Sequence, residues 1–95
     1  MLKVVAKAVV KEEKLEEYKK LAAELAAETR KENGCIAYEL FEDADNGKIL
    51  TFIEEWESRA ALDSHMKTGH FTEIVPKLGK LQESGSELNI YTLVL

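Results

Sequence analysis

The chain has 95 residues, 45% of them hydrophobic and 33% charged, with a formal net charge of −5; these values describe one small folded domain, residues 1–95, well away from disordered composition. The acidic balance argues against nucleic acid, which calls for a basic face, and no polybasic membrane patch is present. A lone cysteine, Cys35, excludes an intramolecular disulfide and fits a reducing compartment, while Lys3 and Lys7 interrupt the apolar N-terminus so that no signal core or membrane span is drawn there; the expected location is cytoplasmic.

Met1 to Val10 alternates as a strand, with Leu2, Val4, Ala6, Ala8 and Val10 on one side. Val5 and Val9 make its other side partly apolar. Lys11 to Glu32 repeats at helical spacing through Leu15, Tyr18, Leu21, Ala22, Leu25, Ala26 and Thr29. Glu12 and Glu13 fall in its first turn and Arg30 and Lys31 in its last, matching the helix dipole, and Asn33-Gly34 is the expected stop. Cys35 to Asp43 reads as a second strand, with Ile36, Tyr38 and Leu40 on one face and Ala37, Glu39 and Phe41 on the other. Ala44-Asp45-Asn46-Gly47 is a turn signal, and Lys48 to Trp56 is the antiparallel partner. Ile49, Leu50, Phe52 and Ile53 leave that partner apolar on both faces, so both faces need cover.

Ser58 is suited to cap a short helix through Ala60, Ala61, Leu62, His65 and Met66, which Thr68-Gly69 breaks. A further helix from about His70 carries Phe71, Ile74, Val75 and Leu78, and Pro76 is expected to kink or end it. Gly79 to Ser86 reads as loop. Glu87 to Leu95 closes the chain as a strand. The order β-α-β-β-α-β, with the second helical unit broken in two, is the ferredoxin-like α+β pattern, an antiparallel sheet with helices on one face. Val5, Val9, Ile49, Ile53 and Leu93 on the other face predict cover by a second copy of the chain, giving a dimeric α/β barrel.

The only tryptophan, Trp56, and the only histidines, His65 and His70, fall within fifteen residues at a strand-to-helix junction. Each combines an apolar body with a polar handle, which directs attention there for a small-molecule site. An imidazole titrating near neutrality suits a general base or a hydrogen-bond partner for a phenolic substrate; the plainer reading is one surface histidine and one core or capping histidine. Their i, i+5 spacing does not align them on one helix turn, and no cysteine or carboxylate sits at a familiar zinc spacing, so no metal is expected. Trp56 is either a flat wall for an aromatic ligand or a core residue closing the sheet, and Tyr38, Phe52 and Phe71 divide the same way. Glu54 shares the parity of Phe52 and Trp56, which makes it a base in a cavity or an edge residue in solvent. Cys35 has no base beside it and reads as a small buried residue. There is no GxGxxG, P-loop or GxSxG, and no cofactor is expected.

Gly34-Cys35 with Tyr38-Glu39-Leu40, then Glu55-Trp56-Glu57-Ser58, Ala61-Leu62, His65 and Thr68-Gly69-His70-Phe71, resembles the antibiotic-biosynthesis monooxygenase family, in particular its small bacterial quinol monooxygenase-like branch. The resemblance implies a homodimer of ferredoxin-like subunits with facing sheets. It also implies oxygenation of a quinol-like aromatic by molecular oxygen without metal, flavin or haem, the substrate anion itself passing an electron to oxygen. Carried over by residue, Trp56 would be the cavity wall, His65 and His70 the polar contacts at its mouth, and Tyr38 a further contact. No Asn and Arg cluster stands near Trp56, unlike some antibiotic-pathway members. Haem-degrading relatives carry an asparagine in the first strand, which here holds only Lys, Val and Ala between its ends. Isomerisation of a phosphorylated signalling sugar on the same fold, or a non-catalytic ligand-binding or stress-response dimer, are the alternatives.

Overall fold

Period-two alternation along the strands places the core. In a computed structural model describing residues 1–95, the elements are β1 (Leu2–Val9), a 3-10 turn (Glu12–Lys14), α1 (Leu15–Thr29), β2 (Cys35–Asp43), β3 (Asn46–Trp56), α2 (Arg59–His65), α3 (Gly69–Lys80) and β4 (Glu87–Thr92). The four strands form one antiparallel sheet in the order β2-β3-β1-β4, the ferredoxin-like arrangement. Val4 and Ala8 of β1 and Leu50, Phe52 and Trp56 of β3 are buried on its inner face, against Tyr18, Ala22 and Leu25 of α1, Leu62 of α2 and Leu78 of α3. Each such large apolar side chain contributes roughly 1.5–3 kcal/mol when fully buried. No helix is long and apolar enough to cross a membrane.

Four local features depart from simple alternation. First, β2 carries a bulge: Cys35 faces Trp56 and Ala37 faces Glu55, so Ile36 is the extra residue and is 50% exposed. Ile36 therefore does not share the inner face with Tyr38 and Leu40; a bulge resets the parity of everything before it. Second, the hairpin turns at Ala44-Asp45, since Asp43 faces Asn46. Asp43 Oδ2 accepts from the Asp45 amide and Asn46 Oδ1 from the Lys48 amide, each at 3.0 Å, so side chains close the turn and Gly47 keeps a negative φ.

Third, α1 ends at Thr29, before Arg30 and Lys31. Arg30 instead turns its Nε onto the Tyr38 carbonyl at 3.0 Å, tying the helix end to β2. Fourth, α3 runs through Pro76 to Lys80. Proline removes one helical donor, and the buried Leu78 with the partly buried Ile74 and Val75 anchors the helix on both sides of it. Beyond it, Leu81 and Gln82 are buried, because the Lys11 amide donates to the Leu81 carbonyl at 2.9 Å and the Glu83 amide to the Val9 carbonyl at 2.8 Å. The segment read as loop is in part a short extra bridge, Val10 to Gln82. β4 stops at Thr92, opposite Leu2, short of the expected Leu95.

Gly34 is the one residue with positive φ, at 85°. A Cβ there would stand 2.6 Å from the Ala61 Cβ, so both the backbone and the space demand glycine. We expect Gly34→Ala to lose about 1–3 kcal/mol from the backbone conformation alone. Urea unfolding should show a smaller loss when the change is made in an Ala61→Gly background, which removes the contact atom. Equal losses in both backgrounds would mean that the contact carries no cost.

Candidate active site

Along β3, residues 52, 54 and 56 point inward together, so a carboxylate lies between two aromatic rings. Glu54 is 5% exposed and faces Val4 across one strand pair and Tyr38 across the other. A buried carboxylate is costly unless a donor meets it. Trp56, two residues on and on the same face, supplies the donor: its Nε1–H donates to Glu54 Oε1 at 2.9 Å. Burial nevertheless pushes the Glu54 carboxyl up to about 7; the indole hydrogen bond works against this rise and the charge of Glu32 adds to it.

Glu54 opens into a cavity of about 460 Å³ between the inner sheet face and the helices α1 and α3. Leu25, Phe52, Phe71, Val75 and Leu78 supply much of its apolar wall. Tyr18, Tyr38 and Gln82 supply polar atoms, with Ser84 and Ser86 at the end closed by the segment before β4. Tyr38 and Phe52 pack with ring centroids 5.1 Å apart. Gln82 is fixed by its Nε2, which donates to the Ser84 carbonyl at 3.0 Å and to Ser86 Oγ at 3.1 Å. Burial pushes the Tyr18 phenol up to about 12 and raises that of Tyr38 as well, where Glu54 adds to the effect. Both phenols therefore stay protonated near neutral pH. Of the groups on the cavity wall, Glu54 alone titrates there, and no lysine, arginine or histidine lines it.

The histidines lie off the cavity wall, beside Trp56. His65 ends α2 and stacks on the indole with ring centroids 4.6 Å apart, its edges toward Tyr38 and Phe71. His70 is the second residue of α3. Thr68 makes the corner between these helices: its Oγ1 donates to the His65 carbonyl at 2.7 Å and accepts from the Phe71 amide at 3.3 Å. Both rings consequently converge on Glu32, in the connection after α1. His65 Nδ1 lies 2.8 Å and His70 Nε2 2.6 Å from the same oxygen, Glu32 Oε2. A carboxylate can only accept, so each imidazole places its proton on the nitrogen that faces it. Burial is the main cause that lowers the affinity of His65 for a second proton and His70 adds to it, against the hydrogen bond and charge of Glu32.

Of the residues singled out in the sequence, Tyr38, Phe52, Glu54 and Phe71 line the cavity; Trp56, His65 and His70 do not. Trp56 instead holds Glu54, and His65 backs Trp56. Glu32, Tyr18 and Gln82 were missed. Tyr18 was readable from its place on the buried helical face, whereas nothing local marks Glu32 or Gln82.

The sequence pattern of the antibiotic biosynthesis monooxygenase family matches residues 1–77. An uncharacterized protein of Synechocystis is 38% identical over 84 residues, 88% of this chain and 57% of that protein. A Mycobacterium tuberculosis relative matches at 42% identity over 53 residues, 56% of this chain and 52% of its own length. The chain thus spans little more than half of these two curated relatives. Among solved structures, a conserved protein from Methanosarcina mazei superposes with a TM-score of 0.94 at 43% identity, covering 95% of this chain and 89% of that one. A crystal structure described as an antibiotic biosynthesis monooxygenase superposes with a TM-score of 0.95 at 40% identity over the whole of both chains.

The buried Glu54 makes stability depend on pH. Its carboxyl is raised on folding from the ordinary 4.5 to about 7, so the unfolded chain gives up the proton first and stability falls as pH rises between those values. Glu54→Gln keeps an acceptor for the Trp56 indole and has nothing to ionise. We expect the variant to gain on the wild type across that window, by at most about 3 kcal/mol above pH 7. Urea unfolding of both proteins from acid to mildly alkaline pH tests this, and a constant difference would contradict it.

Proposed function

The chain belongs to the antibiotic biosynthesis monooxygenase family, and from that membership we propose that it is a monooxygenase that oxidises a small quinol or related hydroxylated aromatic with molecular oxygen. The observation that carries this reading is the apolar cavity, whose one group titrating near neutrality is Glu54. A carboxylate with its pKa near 7 is matched to taking a proton from a phenol at physiological pH. Phe52, Phe71 and Tyr38 offer ring faces to a flat substrate, and Leu25, Val75 and Leu78 exclude water from it. A cavity wall without lysine, arginine or histidine suits a neutral aromatic and offers no cation to a phosphate, which weighs against a phosphorylated sugar.

In the step we propose, Glu54 accepts the phenolic proton and the resulting phenolate gives electrons to oxygen. For a hydroquinone the balance is hydroquinone plus oxygen giving hydroxyquinone plus water. One oxygen atom bonds to a ring carbon, the other leaves as water, and the four electrons come from the substrate itself. Trp56 orients Glu54 through the indole N–H. His65, stacked behind Trp56, serves as its support.

We further propose a homodimer through the outer sheet face. Val5, Val9, Ile49 and Ile53 are only partly covered there. Phe41 and Tyr91 on the same face are 47% and 51% exposed. The helices cover only the opposite face, and a second sheet would bury these side chains. Sedimentation at micromolar concentration should give twice the mass of the chain; a stable monomer would remove the interface from the proposal.

Oxygen uptake on a panel of quinols tests the chemistry. Turnover should place one atom of isotopically labelled oxygen in the product, and Glu54→Gln should lower the rate by about 10²- to 10⁴-fold. Uptake without label in the organic product would make the protein an oxidase. Equal rates in the variant would relieve Glu54 of its role as base.

A further inference from the structure

Glu32, His65 and His70 form a cluster of their own that does not line the cavity. They come from three separate parts of the chain: the connection after α1, the end of α2 and the start of α3. One ligand atom from each, a carboxylate oxygen, His65 Nδ1 and His70 Nε2, lie within 4.8 Å of one another. Their side chains are 13%, 2% and 20% exposed, so the donors are largely dehydrated before any ligand arrives. The corner built by Thr68 and the stacking of His65 on Trp56 hold the two rings in place from behind. In front, Glu32 also lines an open polar depression with Glu57, Ser64 and Thr68, which gives access from outside.

We propose that Glu32, His65 and His70 bind a divalent transition-metal ion of the zinc class, at a site separate from the cavity, a proposal that does not rest on the reaction proposed there. Two imidazoles and a carboxylate are the donor set that zinc and its first-row neighbours take, with bonds of about 2.0–2.2 Å. Such bonds set donor atoms about 3.0–3.4 Å apart, from a right angle to a tetrahedral one at the ion. His65 and His70 now stand at 2.8 and 2.6 Å from Glu32 Oε2. Admitting the ion therefore requires Glu32 Oε2 to draw back from each ring nitrogen by about half an ångström, and the two ring nitrogens, up to 4.8 Å apart, to close toward one another, movements that the partly exposed His70 and Glu32 can make. Each neutral imidazole then carries its proton on its other nitrogen and presents a lone pair to the metal. With three protein donors, water would take the further coordination position. The ion would join the end of α1 to the corner between α2 and α3, replacing two hydrogen bonds by three metal–ligand bonds.

The test uses the full, untagged chain, stripped with a chelator and titrated with zinc chloride by calorimetry and with cobalt chloride by visible absorption. One ion per chain, cobalt ligand-field bands and a raised melting temperature are expected. Glu32→Gln and His70→Ala, both at partly exposed positions, should each weaken zinc binding by at least about tenfold, as the loss of even an outer-shell partner commonly does. The wild-type protein offers a readout that needs no variant. It has only two histidines, and the ring-nitrogen resonances of both should move on addition of one equivalent of zinc. Absence of saturable binding, unmoved histidine resonances, or affinity unchanged in both variants would each overturn the site and leave the cluster as a hydrogen-bonded one only.

Discussion

The hydrogen bond from the Trp56 indole to Glu54 is the interaction on which the centre of this molecule depends. A carboxylate in the layer between sheet and helices is expensive, and the fold keeps one there by giving it a donor two residues along the same strand face. The indole is itself fully buried, so it cannot turn to another acceptor without opening the core. Tyr38 and Val4 crowd the carboxylate from the flanking strands, and α1 and α3 close the space above it. The local rule is ordinary strand alternation. Its outcome is a titrating group near neutrality inside a largely apolar chamber.

Much of this architecture was legible in the residues because its signals are local. The helical spacing from Leu15 to Thr29, the cap at Ser58, and the alternation through Phe52, Glu54 and Trp56 each operate over a few positions. The departures arise where a second element overrides a local rule. Ile36 points outward because pairing with β3 inserts a bulge, which alternation within β2 alone cannot reveal. α1 ends early because Arg30 finds the Tyr38 carbonyl and Gly34 must pass close to Ala61. The turn moves to Ala44-Asp45 because two side chains satisfy the amides that a left-handed backbone would otherwise have to accommodate.

The site was legible in composition more than in geometry. Trp56, His65 and His70 stood out as the rare residue types, yet rarity says nothing about which side of the indole a ring occupies. Glu54 looked like one of many acids in an acidic chain and could be placed only by its parity. Glu32 is 33 and 38 positions from the histidines that it joins, a separation that no motif spacing encodes. Short-range rules therefore locate the chamber's aromatic walls, while the carboxylate that joins the two histidines appears only once α1 has been laid against α2 and α3.

The two ends of the chamber differ in mechanical character. At one end Glu54 sits on β3, which is hydrogen-bonded on both sides, to β1 and to β2. At the other end stand Ser84, Ser86 and Leu88, carried by β4 and the segment before it, and within the chain β4 is hydrogen-bonded to β1 alone. Displacing a central strand breaks two ladders and displacing an edge strand breaks one, so local opening is cheapest on the β4 side. The chamber is thus stiffer at the Glu54 end and more compliant at the β4 end. For the hydroxylated aromatic proposed above, such a container would discriminate sharply by the position of a hydroxyl group and loosely by overall size.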